Sequence, residues 1–279
     1  MGKLIVATGN YAKKSYLLKN TKQNIYSVEE LCYCIMRNPE LCEDFLYDDG
    51  LARYMREVLG LKERGALLAN LIERNAPLKD LLIVIFCSCD YFTREEIEEF
   101  IKEQSKVERS EEWVRTKSKA DSYLAHGNFR DAIMNYRLLI KEKEGYGITS
   151  ETLGDIYHNL AIALLHTDGF TEASDYFREA YERNNREESL KQYLLALRFA
   201  GDKVMYESAL DIYEVTESME KWLDVAFFQT ELETQEISDF DELNSIRQLL
   251  ANGKINDFYA AVRRMTEQMK EQYRKDVTV

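Results

Sequence analysis

The residues of this chain whose types invite chemistry are five cysteines, three histidines and one lysine-serine turn, and their spacing decides what they can do. Cys32, Cys34, Cys42, Cys87 and Cys89 include two Cys-x-Cys pairs, enough thiolates for a metal centre. Residues two apart on a helix point to different faces, however, and structural zinc is usually gripped by Cys-x-x-Cys in a loop. The cysteines lie in strongly apolar runs, which favours free, buried thiols, with a redox or metal role as the alternative. His158 and His166 share a predicted helix but stand eight residues apart, about 12 Å along its axis, too far to chelate one ion together. Residues 8–15 follow an apolar run, Leu4-Ile5-Val6-Ala7, and end in Lys14-Ser15 as a phosphate-binding loop does. Thr8 and Lys13 occupy the positions where backbone amides need glycine to cradle phosphate, so a surface turn of a basic hairpin is expected instead. There is no His-Glu-x-x-His and no Gly-x-Ser-x-Gly, and no carboxylate sits in an apolar context that would single it out as a general acid or base. The chain is not expected to be an enzyme, and no cofactor or metal is implied.

The elements that must position these groups are mostly helical. Residues 1–26 predict a small β-hairpin that pairs the run at 4–7 with Tyr16-Leu17-Leu18 around a turn at Gly9-Asn10. Ser27 and Glu30 form a capping box ahead of a helix whose apolar face is Val28, Leu31, Cys32 and Ile35. Asn38-Pro39 reads as the cap and first position of the next helix. Further helices are predicted over 50–59, stopped by Gly60, and over 61–74, stopped before Pro77. The apolar run 81–87 fits either a buried strand or a buried helix, and its helical neighbours favour helix. Thr93 and Glu96, with Phe92 and Ile97 as a hydrophobic staple, start another helix. An N-terminal domain is expected over 1–110 and a second over 111–279.

Two segments between 113 and 185 carry the same pattern of small, bulky and turn residues. In the first these are Ala120, Tyr123, Gly127, Phe129, Ala132 and Tyr136; in the second, Tyr157, Leu160, Ala161, Leu164, Phe170, Ala173, Phe177 and Ala180. Two antiparallel helices approach closely where small residues face each other and aromatics fill the space alongside. The pattern resembles the tetratricopeptide repeat, with Ala132 and Ala173 standing 41 residues apart against a family unit of about 34. The extra length falls at 145–150, where the turn chemistry is dense. A degenerate third unit spans 188–216, with Leu190, Leu194 and Leu197, a break at Gly201-Asp202, then Val204, Ala209 and Ile212, but Glu207 where a small residue belongs. A buried helix over 219–234 and a final pair, 239–251 and 254–275, complete an all-α, solenoid-like body closed by a polar terminal helix.

The resemblance implies an intracellular adaptor or scaffold that binds a peptide or protein partner in a groove. In the family's register the groove-facing positions are Lys117, Asp121 and Leu124 in the first unit and Asp155, His158, Asn159, Ile162 and His166 in the second. Lys117 and Asn159 match a clamp that some family members use for a peptide's C-terminal carboxylate. Asp121 replaces an asparagine of that clamp and would repel a carboxylate.

Charge narrows the partner class. The net charge of −13 opposes general nucleic-acid binding, and twelve Asp and Glu against the single Lys221 give residues 207–242 a net of −11. Residues 1–28 hold five lysines and no acid. The acidic run is expected to be a solvated helix face, or else an electrostatic docking surface. The alternative function, a peptide-responsive regulator with a DNA-binding N-terminal domain, would need a basic recognition helix, and Glu63 and Glu73 make residues 50–75 a poor one. No apolar run approaches a membrane span or a secretory signal, so a cytoplasmic location is expected.

Overall fold

The chain is mainly α-helical, with one small β-hairpin among the residues described; the structure, a computed structural model, describes residues 11–108, 110–235 and 238–277. It divides into two compact units, 1–202 and 203–279.

The first unit opens with β1 (Tyr16–Leu18) and β2 (Gln23–Ile25), antiparallel with Tyr16 opposite Ile25. Residues 4–7, the expected partner of β1, lie outside the described residues, and Gln23–Ile25 takes that place. Lys22 makes the turn in the left-handed region, at φ 53°, and Leu18 and Ile25 bury themselves on one face of the ribbon. α1 (Val28–Arg37) begins as predicted: Ser27 Oγ accepts from the Glu30 N–H at 3.2 Å. The Glu30 carboxylate reaches back one residue further than a capping box does, to the Tyr26 N–H at 2.6 Å. Asn38 does not cap the next turn; with ψ at 56° it lacks the extended backbone that aims a cap forward, and its amide donates to Cys34 O at 2.9 Å. A single 3-10 turn, Pro39–Leu41, leads into α2 (Cys42–Leu46).

α3 (Asp49–Glu57) and α4 (Lys62–Glu73) form a tight pair around Gly60, at φ 75°. A Cβ on Gly65 would lie 2.7 Å from Arg56 N and 2.8 Å from Ala52 O, so only glycine admits this crossing. The ambiguous run is a helix, α5 (Leu78–Phe86), with Leu81, Leu82, Val84 and Ile85 buried. α6 (Arg94–Glu108) carries a reciprocal capping box: the Glu96 N–H donates to Thr93 Oγ1 at 3.3 Å and the Thr93 N–H to Glu96 Oε2 at 2.9 Å. Cys32, Cys34 and Cys42 are buried free thiols, whereas Cys87 is exposed and Cys89 half-buried. The reason is local: α5 ends at Phe86, so the second Cys-x-Cys rides on the bend after it.

Both repeat-patterned segments fold as helical hairpins, giving a helical repeat-like architecture. α7 (Glu112–Ala125) turns at Gly127, φ 68°, into α8 (Phe129–Lys141). After a short α9 (Lys143–Tyr146), α10 (Ser150–Leu165) turns at Gly169 into α11 (Phe170–Asn184), and α12 (Glu187–Ala200) packs on α11. Ala120, Ala132, Ala161, Ala173 and Ala180 are all fully buried, as are Tyr136 and Phe177. Burying one such aromatic contributes about 2–3 kcal/mol, which makes these rings the main glue of each hairpin. Phe170 departs from the pattern, since it is 41% exposed and stacks on Phe199 at 5.0 Å. Gly154 lets α10 and α11 touch: a Cβ there would meet Asn184 Cβ at 2.7 Å.

The N-terminal elements are joined to α7 and to the turn after it by polar contacts. Tyr123 Oη donates to Asp44 Oδ2 at 2.7 Å, Lys119 pairs with Asp44 Oδ1 at 2.5 Å, and Lys22 Nζ donates to Gly127 O at 2.8 Å.

The second unit contains α13 (Lys203–Ile212), α14 (Glu217–Gln235), α15 (Ser238–Ala251) and α16 (Ile255–Val277). The helix over 219–234 is present but not buried: Leu223 is covered, while Trp222, Val225 and Phe228 are 41%, 56% and 59% exposed. Val204 and Ile212, expected on a packed face, are also exposed, and only Ala209 of that trio is buried. Among the described residues no helix is long and apolar enough to cross a membrane.

Candidate functional site

The groove-facing positions separate into two polar clusters and one aromatic stack. In the first cluster Lys117 Nζ lies 2.7 Å from Asp121 Oδ2, one turn along α7. Asp121 Oδ1 receives the Tyr136 hydroxyl from α8 at 2.6 Å and the Asn159 amide from α10 at 2.9 Å. Tyr136 is fully buried; burial and then the Asp121 charge push its hydroxyl well above the usual tyrosine range, so it stays protonated and donates to Asp121. Three donors on three helices thus share one carboxylate. Hydrogen bonds to a charged group contribute about 1.5–3 kcal/mol each, and the part-exposed lysine pair adds a fraction of 1 kcal/mol after screening. Leu124 lies half-buried along α7 beyond Asp121.

The second cluster joins α10, α11 and α12. His158 Nδ1 lies 3.0 Å from the buried Ser189 Oγ, and its ring meets Phe177 edge-on at 5.3 Å. Burial pushes the His158 imidazole below its ordinary value, because the charged form loses more solvation than the nearby carboxylates return. Asn184 donates to Asp155 Oδ1 at 3.1 Å and to Ser189 Oγ at 3.2 Å. Arg186 spans Asp155 Oδ1 at 3.0 Å and Glu151 Oε1 at 3.1 Å. Ile162 is half-buried on the same helix as His158.

His166 belongs to neither cluster. Its ring stacks on Phe129 at 4.0 Å, 5° from parallel, at the edge of an open cleft of about 930 Å³ that Arg130, Arg137 and Asp168 also line. Phe129 and Phe170 open the second helices of the two hairpins, and each lies against a ring at the end of the next repeat's first helix, His166 and Phe199 respectively.

No family model, curated protein or solved structure matches the chain.

The register implied by the repeat resemblance puts Lys117, Asp121, Asp155, His158 and Asn159 on the first helices of the hairpins, and the structure joins Asp121 to Asn159 across the α7–α10 contact. It does not leave Lys117 and Asn159 as an open pair, since both are directed at Asp121. The residues that spacing missed are Tyr136, Asn184 and Arg186. Tyr136 fits the repeat as bulk, and nothing in that pattern announces its hydroxyl. Asn184 and Arg186 flank Asn185, a left-handed helix end at φ 50°, and that Asn-Asn-Arg turn was the available signal. Among the described residues, no group of three or more His, Cys, Asp and Glu side chains is placed to hold a metal ion.

Proposed function

We propose that this protein is a tetratricopeptide-like interaction module of the cytoplasm, an adaptor that holds a peptide or protein partner along the face shared by α7 and α10. The observation that carries this is the convergence of Lys117, Tyr136 and Asn159 on Asp121, which fixes a polar surface before any partner arrives. Preorganised donors and acceptors lose little freedom on binding, so a weakly structured segment can be gripped there. Lys117 directs one of its three N–H donors at Asp121 and offers a backbone carbonyl the others. A free C-terminal carboxylate is the wrong ligand, because Asp121 already uses the cation and its own charge repels an anion. Helical repeats that bury their alanines and aromatics, as Ala132, Ala173 and Phe177 do, favour a scaffold over a catalyst. Free thiols suit a reducing compartment.

Cross-linking of the full chain in its native cell, followed by mass spectrometry, tests this with the double variant Lys117→Ala/Asn159→Ala. Loss of specific cross-linked partners, with the melting temperature of the variant within a few degrees of the parent, supports the face. An unchanged partner set removes it from the account.

A further inference from the structure

Of the five thiols, two stand sulfur to sulfur. Cys32, in the middle of α1, is fully buried and lies 3.7 Å from Cys89 Sγ, with Ile85 O at 3.8 Å on the same side. Cys34, two residues along the helix, faces elsewhere, towards Thr21 Oγ1 and Asn38 Nδ2, each at 3.6 Å. Cys42 is turned towards Asn38 O, at 3.4 Å. Cys89 sits on the bend between α5 and α6 and lines an apolar cleft of about 500 Å³ with Phe86, Phe92, Ile97 and Ile101. One sulfur of the pair is therefore reached from outside and the other is not.

We propose that Cys89 and Cys32 form a peroxide-reactive thiol pair, Cys89 attacking and Cys32 resolving. The co-reactant is a hydroperoxide. Cys89 Sγ, as thiolate, attacks the terminal oxygen; the O–O bond breaks, Cys89 becomes a sulfenic acid, and the departing alkoxide or hydroxide takes a proton to leave as alcohol or water. Cys32 Sγ then attacks Cys89 Sγ; the S–O bond breaks, hydroxide leaves as water with the Cys32 proton, and the S–S bond forms. The two thiols lose two electrons and the peroxide gains them.

The electrostatics agree with this division of labour. The Cys32 thiol, and after it the Tyr91 N–H, stabilise charge on Cys89 and bring it below its ordinary value despite burial and the nearby Glu29 and Asp90 carboxylates. Its bond to Cys89, and then burial, hold Cys32 in the protonated form. Closing from 3.7 Å to a disulfide's length of about 2.05 Å needs a shift of about 1.7 Å, which the bend at Cys89 supplies more readily than the helix at Cys32.

The test treats the full chain, folded and reduced, with hydrogen peroxide, alkylates the remaining thiols and maps disulfides by mass spectrometry. The expected product is one intramolecular Cys32–Cys89 bond, reversed by dithiothreitol, with Cys34 and Cys42 still alkylated once the protein is unfolded. Cys32→Ala is expected to trap Cys89 as a sulfenic acid that dimedone labels, and Cys89→Ser to leave Cys32 a thiol. A Cys87–Cys89 bond, a dimer linked through Cys87, or a Cys32 and Cys89 that both stay alkylatable overturns the proposal, and because the mapping uses the parent protein, a variant that fails to fold does not rescue it.

Discussion

Asn159 donates to Asp121 Oδ1 at 2.9 Å across the α7–α10 contact, onto the same oxygen that takes the Tyr136 hydroxyl. One carboxylate thereby ties the first hairpin to the second. Replacing Asp121 by alanine leaves the buried Tyr136 hydroxyl and the Asn159 amide without their acceptor, each costing about 1–3 kcal/mol. A loss of about 2–4 kcal/mol is expected in urea unfolding, with Asp121→Asn intermediate because it restores an acceptor but no charge. A loss below about 0.5 kcal/mol for Asp121→Ala would show that the network adds little.

Alkali should weaken the fold through its tyrosines. Burial, then in three cases an Asp partner, raises Tyr16, Tyr123 and Tyr136, and burial pushes Tyr54 up to about 12. A raised tyrosine keeps its proton in the folded chain while the unfolded chain loses it near pH 10, so the unfolded state binds fewer protons and stability falls as pH rises from about 10 to about 12. Urea midpoints across that range should drop, and the drop should be smaller in Tyr123→Phe. A flat profile contradicts this.

On the acid side His158 acts in the opposite sense. Its folded value lies below the ordinary 6.5, so the stability it contributes is complete above that pH and is lost as pH falls and the unfolded chain takes up the proton first. The difference in stability between the parent and His158→Gln, measured from about pH 7.5 down to about 5, should shrink as pH falls. A difference independent of pH would assign the role of His158 to packing alone.

Gly154 and Gly65 should both resist alanine. Helix propensity favours the substitution by about 1 kcal/mol, but the new methyl at Gly154 would sit 2.7 Å from Asn184 Cβ and 2.9 Å from Ala180 O. Overpacking of this kind costs about 1–3 kcal/mol, so a net destabilisation is expected in denaturant titrations at each site. A stabilised Gly154→Ala would mean that α10 and α11 separate freely.

Local signals were legible wherever the chain answers to its neighbours in sequence. Ser27 and Thr93 cap the helices they precede, and Gly60 and Gly127 turn in the left-handed region. The buried alanines of the two hairpins follow the small-residue positions of the pattern. Partners distant in sequence were harder to read. β2 is mostly polar, Gln23-Asn24-Ile25, and its pairing depends on the Lys22 turn and on burial of Leu18 and Ile25 together. An apolar run reports hydrophobicity but not coverage, which is why Trp222, Val225 and Phe228 could be read as core and are exposed, and why Cys87 could be read as buried. The polar clusters depend on which helix faces which, and spacing cannot tell that Tyr136 reaches Asp121.

The paired stacks, Phe129 on His166 and Phe170 on Phe199, separate two jobs that a repeat often gives to one element. The rings meet at the step from one hairpin to the next, while in the connector Gly145 and Gly147 border open space and Ile148 alone packs against the cluster of Leu153, Tyr157 and Ala180. The stretch before Ile148 is therefore the part of the connector with room to lengthen. Residues can accumulate there without disturbing the helices on either side, and a peptide tag grafted into that connector should ride on an unaltered scaffold.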